Sequence, residues 1–176
     1  MRVLVFSVLS GCLAGTAFAA PAGVHKRDGA APAVKPPVPL ARSGEWATAR
    51  DSRVSPPDGC FTAGWHPGSA SVGLNVDGRK FWLTVGYNSP ILEGKTVRTL
   101  AVSIDGARRS MHVESKDDYT INVRLTRRET AALVASLEHG AVLTVTSEAI
   151  DPVTVSLRGA APALEAFRAC ASLPAE

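Results

Sequence analysis

The chain has 176 residues, 45% of them hydrophobic and 20% charged, which allows one domain, or one domain with a tail. Its formal net charge is +3, but the first 44 residues carry +4 through Arg2, Lys26, Arg27, Lys35 and Arg42 against Asp28, so the rest carries −1. The basic excess therefore belongs to an N-terminal arm, which argues against a folded nucleic-acid-binding face.

The first 19 residues have the layout of a secretory signal peptide. Arg2 supplies a short positive start, Val3 to about Ala17 is apolar, and Ala17-Phe18-Ala19 is an A-x-A cleavage site. The apolar run is too short and interrupted for a transmembrane helix, and later apolar stretches are broken by charge. A second reading stays open: "LSGC", Leu9 to Cys12, has the form of a lipobox, in which the Cys12 thiol would be acylated and anchor the chain to the bacterial membrane. Residues 20–44 are Ala/Pro-rich and without periodicity, which predicts a disordered linker, or a tether if Cys12 is lipidated. The folded domain is expected over residues 45–176.

Cleavage after Ala19 removes Cys12 and leaves Cys60 and Cys170. In an oxidising compartment such a pair reads as a disulfide, with two buried free thiols as the alternative.

Cys60 to Trp65 is short and aromatic enough for a strand, and His66-Pro67-Gly68 breaks it. Val72, Leu74 and Val76 then alternate up to Asp77-Gly78, and Phe81, Leu83 and Val85 alternate beyond. A two-residue turn at Asp77-Gly78 would place Val76 opposite Arg79, Leu74 opposite Phe81 and Val72 opposite Leu83. The pattern recurs at Leu100, Val102 and Ile104, then Asp105-Gly106, then Met111 and Val113. Pairing Ile104 with Ala107 puts Leu100 opposite Met111 and Arg109 opposite Val102. Arg109 must then lie near a rim or be paired with a carboxylate, because an unpaired buried guanidinium is too costly.

Lys116-Asp117-Asp118 reads as a turn, and Tyr119, Ile121, Val123 and Leu125 as an alternating strand. The period changes at "TRRETAALVASLEHG": Thr126 with Glu129 forms a capping box, Leu133, Val134 and Leu137 share a helical face, and Gly140 fits the residue after the helix. Ala141–Ser147 and Val153–Arg158 are two further strands. Pro162 suits the first turn of a last helix, whose apolar stripe is Leu164, Phe167, Cys170 and Ala171. A Cys60–Cys170 bond would hold that helix to the start of the domain.

These elements predict an α+β fold. It is mainly an antiparallel β meander or sandwich-like sheet with two α-helices, one of them C-terminal. The tail "VTVSLRGAAPALEAFRAC", the order of strand, "LTRRETAALVASLEHG" and "AVLTVTS", and the entry at Trp46 followed by Cys60 resemble the invasion-associated locus B family of exported bacterial proteins. The ending also resembles the VasI-type accessory proteins of type VI secretion. The first resemblance implies a periplasmic or secreted envelope protein that acts by contact with a protein partner. The second implies an inhibitor or accessory factor of a hydrolase or secretion system.

Catalytic signatures are sparse. His25, His66, His112 and His139 lack metal-ligand spacing, "GSASVG" lacks the spacing of a nucleophile elbow, and no phosphate-loop or dinucleotide pattern occurs. The expectation is a non-enzyme without cofactor or metal. The candidate binding residues are Trp82, which alternates away from Phe81 and Leu83, Tyr87, in a loop that could line a groove, and Arg109.

Overall fold

The computed structural model describes residues 36–66 and 70–174. The expected signal peptide, the lipidation candidate Cys12 and most of the expected linker lie outside these residues.

The described chain runs β1 (Val38–Ser43), β2 (Trp46–Arg50), β3 (Cys60–His66), β4 (Ala70–Asp77), β5 (Lys80–Tyr87), β6 (Thr99–Ile104), β7 (Ala107–His112), β8 (Ser115–Lys116), β9 (Thr120–Leu125), α1 (Arg127–His139), β10 (Val142–Thr146), β11 (Val153–Ser156) and α2 (Ala161–Cys170). The strands form two antiparallel sheets. One has seven strands in the order β1-β2-β3-β4-β5-β9-β8, the other four in the order β11-β10-β6-β7. The α+β, mainly β fold with a C-terminal helix is as the sequence predicts.

Alternation decides how the sheets stack. On the large sheet, Val72, Leu74 and Val76 of β4, Phe81, Leu83 and Val85 of β5, and Ile121, Val123 and Leu125 of β9 are all buried on one face. Leu100 and Val102 of β6, Leu143 and Val145 of β10, and Val153 and Val155 of β11 are buried from the small sheet. β11 lies against β3 and β4, and α2 covers β1 to β3 and packs on α1. The result is a sandwich whose second layer is part sheet, part helix.

Three links fix that stacking. Trp46, 1% exposed, donates its indole N–H to the Ser156 carbonyl at 2.8 Å, from β2 to β11. The buried Thr48 hydroxyl donates to the Ala163 carbonyl of α2 at 2.5 Å, and Thr62 lies 2.9 Å from it. Arg168 of α2 and Glu138 of α1 form a fork-like pair, with Nη2 to Oε2 at 2.6 Å and Nε to Oε1 at 3.3 Å. Each of these links pairs a buried or part-buried polar group with a partner on another element.

The Cys60–Cys170 disulfide is present, with Cα atoms 5.9 Å apart and 110 residues between the partners in sequence. It joins the first residue of β3 to the last of α2.

Two expectations need correction. First, the linker does not run to Gly44, because Val38–Ser43 is strand β1 and pairs with β2 from Val38↔Arg50 to Ser43↔Trp46. Proline composition argued against a strand, but β1 is an edge, where a missing N–H is tolerated, and the ladder shifts register between Pro39 and Ala41. Second, the β4–β5 register is offset by two. Asp77 pairs with Lys80 and Val76 with Phe81, so the turn residues are Gly78 and Arg79, at φ 55° and 65°. Both left-handed values fit a two-residue hairpin turn. This register matches Val76 with Phe81, Leu74 with Leu83 and Val72 with Val85, whereas the expected one placed Val76 opposite an arginine. Gly140 follows α1, as expected, in an extended conformation (φ −81°, ψ 166°). A methyl group there would come 2.6 Å from Ile104 Cγ2, so packing explains the glycine.

The β6–β7 register is as expected, with Ile104↔Ala107, Val102↔Arg109 and Leu100↔Met111. The Thr126–Glu129 capping box is present in both directions.

Candidate binding surface

On the large sheet, the residues between the buried positions face the other way. Strand register sets them in rows. One row is Ala49, Phe61, Asn75, Trp82 and Arg124, and the next is Ala47, Ala63, Gly73, Thr84, Asn122 and Ser115. Trp82 is half-buried there, with Asn75 of β4 on one side and Arg124 of β9 on the other. Lys80 and Thr84 precede and follow it on the same face of β5.

The polar members of these rows bond to one another. Asn75 Nδ2 donates to Thr84 Oγ1 at 2.9 Å, Thr84 donates to Asn122 Oδ1 at 2.8 Å, and Asn122 Nδ2 reaches Ser115 Oγ at 3.5 Å. The ladder crosses β4, β5, β9 and β8 and holds each amide in one orientation. Among the described residues Arg124 has a single loose ion pair, 3.9 Å to Glu114, with both side chains about half exposed. The surface beside Trp82 is therefore flat, amphipathic and fixed in orientation, with one guanidinium free to redirect.

The three candidate residues are not brought together. Trp82 lies on the outer face of the large sheet. Tyr87 ends β5 on the opposite face, paired with Ala70, so it does not line a surface loop. Its hydroxyl is buried with no hydrogen-bond partner among the described residues. Burial first, and the charge of Asp151 second, push its pKa up to about 12. The loop that follows is pinned by the buried Leu92, whose N–H donates to the Asp118 carbonyl at 3.2 Å and whose carbonyl accepts from Lys116 Nζ at 3.2 Å.

Arg109 lies on β7, the exposed edge of the small sheet. It is close enough to act on Glu129, whose carboxyl is held below the ordinary range by the Thr126 backbone N–H first, the Thr126 hydroxyl second, and Arg109 as a lesser cause. Of the two expected resolutions for this arginine the structure shows the rim: among the described residues Arg109 forms no ion pair.

His66 ends β3 and its Nδ1 donates to the Thr154 carbonyl at 2.6 Å, a structural tie between the sheets. Asp117 receives the N–H groups of Tyr119 and Thr120 at 2.8 and 2.7 Å and the Thr120 hydroxyl at 2.9 Å, so it holds a turn. Among the described residues no group of three or more His, Cys, Asp or Glu side chains could hold a metal ion, and no helix is long and apolar enough to cross a membrane.

Sequence reasoning singled out Trp82 but missed Asn75, Thr84 and Asn122. Their outward positions follow from alternation. Their mutual contact depends on β9 pairing with β5 after two strands of the other sheet intervene, which no local pattern announces.

No protein-family model, no curated protein and no solved structure matches this chain.

Proposed function

We propose that this is an exported, non-catalytic protein of the bacterial envelope that acts by protein–protein contact, using the outer face of the large sheet around Trp82. The carrying observation is the Asn75–Thr84–Asn122 ladder beside Trp82. A large aromatic set among hydrogen-bonded, already oriented polar groups loses little freedom on association, which is the property of an interface anchor. The disulfide supports export, because such bonds persist in oxidising, non-cytoplasmic compartments. The resemblance of the tail to the invasion-associated locus B family supports the envelope role.

Two measurements test the reading. The intact mass of the protein from its native envelope reports its start. A start near Ala20 gives a periplasmic or secreted form, a start at Cys12 plus lipid gives an anchored one, and an uncleaved Met1 start removes export. A photo-reactive residue in place of Trp82, and another in place of the exposed Tyr119, are then compared in living cells. One discrete protein adduct from position 82 and none from position 119 is expected. Equal labelling from both positions would refute the contact face.

A further inference from the structure

A second feature lies where β9 ends and α1 begins. A cleft of about 540 Å³ is lined by Arg79 and Lys80 of the β4–β5 hairpin, Arg124 near the end of β9, and Arg127 at the start of α1. Phe81, Leu125, Pro57 and Ala171 supply its apolar walls. Among the described residues four cations from three separate elements thus border one concavity, and no acid does.

Of the nearby acids, Asp77 stands opposite Lys80 in the β4–β5 ladder without forming an ion pair among the described residues, and the others are committed elsewhere or loosely placed. Asp58 accepts the backbone N–H of Arg79 at 2.9 Å. Glu129 accepts the Thr126 N–H and hydroxyl, both at 2.7 Å, in the capping box. Glu114 stands 3.9 Å from Arg124. Arg127 donates to the Ser172 carbonyl, a neutral partner that leaves its charge uncompensated. Among the described residues Arg79 and Lys80 have no ion pair through their side chains.

Placing like charges around a cleft costs energy in the unliganded protein, and a bound anion relieves it. Guanidinium forks match the oxygens of phosphoryl groups in bidentate geometry. One carboxylate can satisfy one fork, whereas a phosphoryl group offers more charge and a third oxygen, which suits cations converging from several directions. The first turn of the 13-residue α1 adds a positive field of the same sign. We infer that this cleft binds a phosphoryl-bearing ligand, either a soluble phosphorylated molecule or the headgroup of an anionic phospholipid.

The test uses the oxidised protein purified from its native envelope, with inorganic pyrophosphate titrated by calorimetry in one arm. In the other arm, phosphatidylglycerol vesicles are compared with phosphatidylcholine vesicles by co-sedimentation. The variants are Arg79→Asn, which tolerates the φ of 65°, and Lys80→Gln, with Lys95→Gln outside the cleft as a charge-matched control. We expect saturable binding in at least one arm, weakened by added salt. It falls about threefold in each cleft variant and about tenfold in the double variant, and is unchanged in Lys95→Gln. Binding of pyrophosphate alone identifies a soluble ligand. Binding confined to phosphatidylglycerol vesicles identifies a headgroup. No saturable binding in either arm, or equal weakening by Lys95→Gln, overturns the site. Thermal melts of every variant separate lost binding from lost folding.

Discussion

Gly64 of β3 stands opposite Trp46 of β2, against its indole, with no room for a methyl group between them. A Cβ on Gly64 would stand 2.5 Å from Trp46 Cε2, 2.7 Å from Cζ2 and 2.7 Å from Val155 Cγ1. The ring cannot move aside, because its N–H is bonded to Ser156 on the other sheet. Gly64→Ala is therefore expected to destabilise the fold by about 2 to 3 kcal/mol, the cost of overpacking a filled core. Urea denaturation measures it, and an unchanged midpoint would show that the layers can separate at this point without cost.

The disulfide acts on a different part of the fold. α2 has no described strand or helix after it, and Cys170 is its last residue, so the bond to Cys60 holds the end that would otherwise fray. With 110 residues of separation, loop-closure entropy alone gives about 5 kcal/mol, usually less in practice. Cys60→Ala with Cys170→Ala is expected to cost about 3 to 5 kcal/mol, with hydrogen exchange first increased in α2. The same midpoint for oxidised and doubly substituted protein would remove the staple role.

How far the sequence spoke depended on whether a signal was local. The β6–β7 register was readable because Asp105-Gly106 offers one turn frame between two alternating runs. At Asp77-Gly78-Arg79-Lys80 two frames are available, and a slip of two residues keeps every apolar side chain on the same face, so alternation cannot choose between them. Cross-strand matching of Val76 with Phe81 decides, and that is a property of the pair. β1 was hidden by its proline, because composition cannot reveal that a segment will be an edge. Likewise the segregation of Arg79, Lys80, Arg124 and Arg127 into one cleft was masked by a net charge near zero for the domain. Cys60 and Cys170 were paired correctly because cysteine counting needs no geometry.

The capping box makes a pH-dependent prediction. Thr126→Ala removes the side-chain acceptor for the Glu129 N–H and is expected to cost about 1 kcal/mol at neutral pH. Glu129 is more acidic in the folded chain than in the unfolded one, so its contribution is full above the unfolded pKa and is lost as pH falls through the folded one. The cost of Thr126→Ala should accordingly shrink on acidification. In Glu129→Gln the acid limb of stability should be shallower than in the parent. Urea midpoints followed from neutral to acid pH check both, and parallel limbs would show that the box carries no proton linkage.

Tyr87 makes the opposite prediction, at alkaline pH and of opposite sign for substitution. Its buried hydroxyl has no hydrogen-bond partner among the described residues, so the folded state desolvates a polar group without compensation. Tyr87→Phe keeps the ring and deletes that group, and is expected to raise stability by up to about 1 kcal/mol at neutral pH. In the folded protein the phenol keeps its proton up to about 12, above its ordinary value of 10.0. Between these values the unfolded chain has released a proton that the folded chain still holds. Unfolding is thereby favoured, and stability must fall as pH rises through this window. Tyr87→Phe lacks that term, so its alkaline limb should be flatter, and the phenolate absorbance step near 12 should vanish from its titration. A loss of stability in Tyr87→Phe would mean that the hydroxyl has a bonding partner in solution, and would assign this end of β5 a polar contact that stabilises the native state.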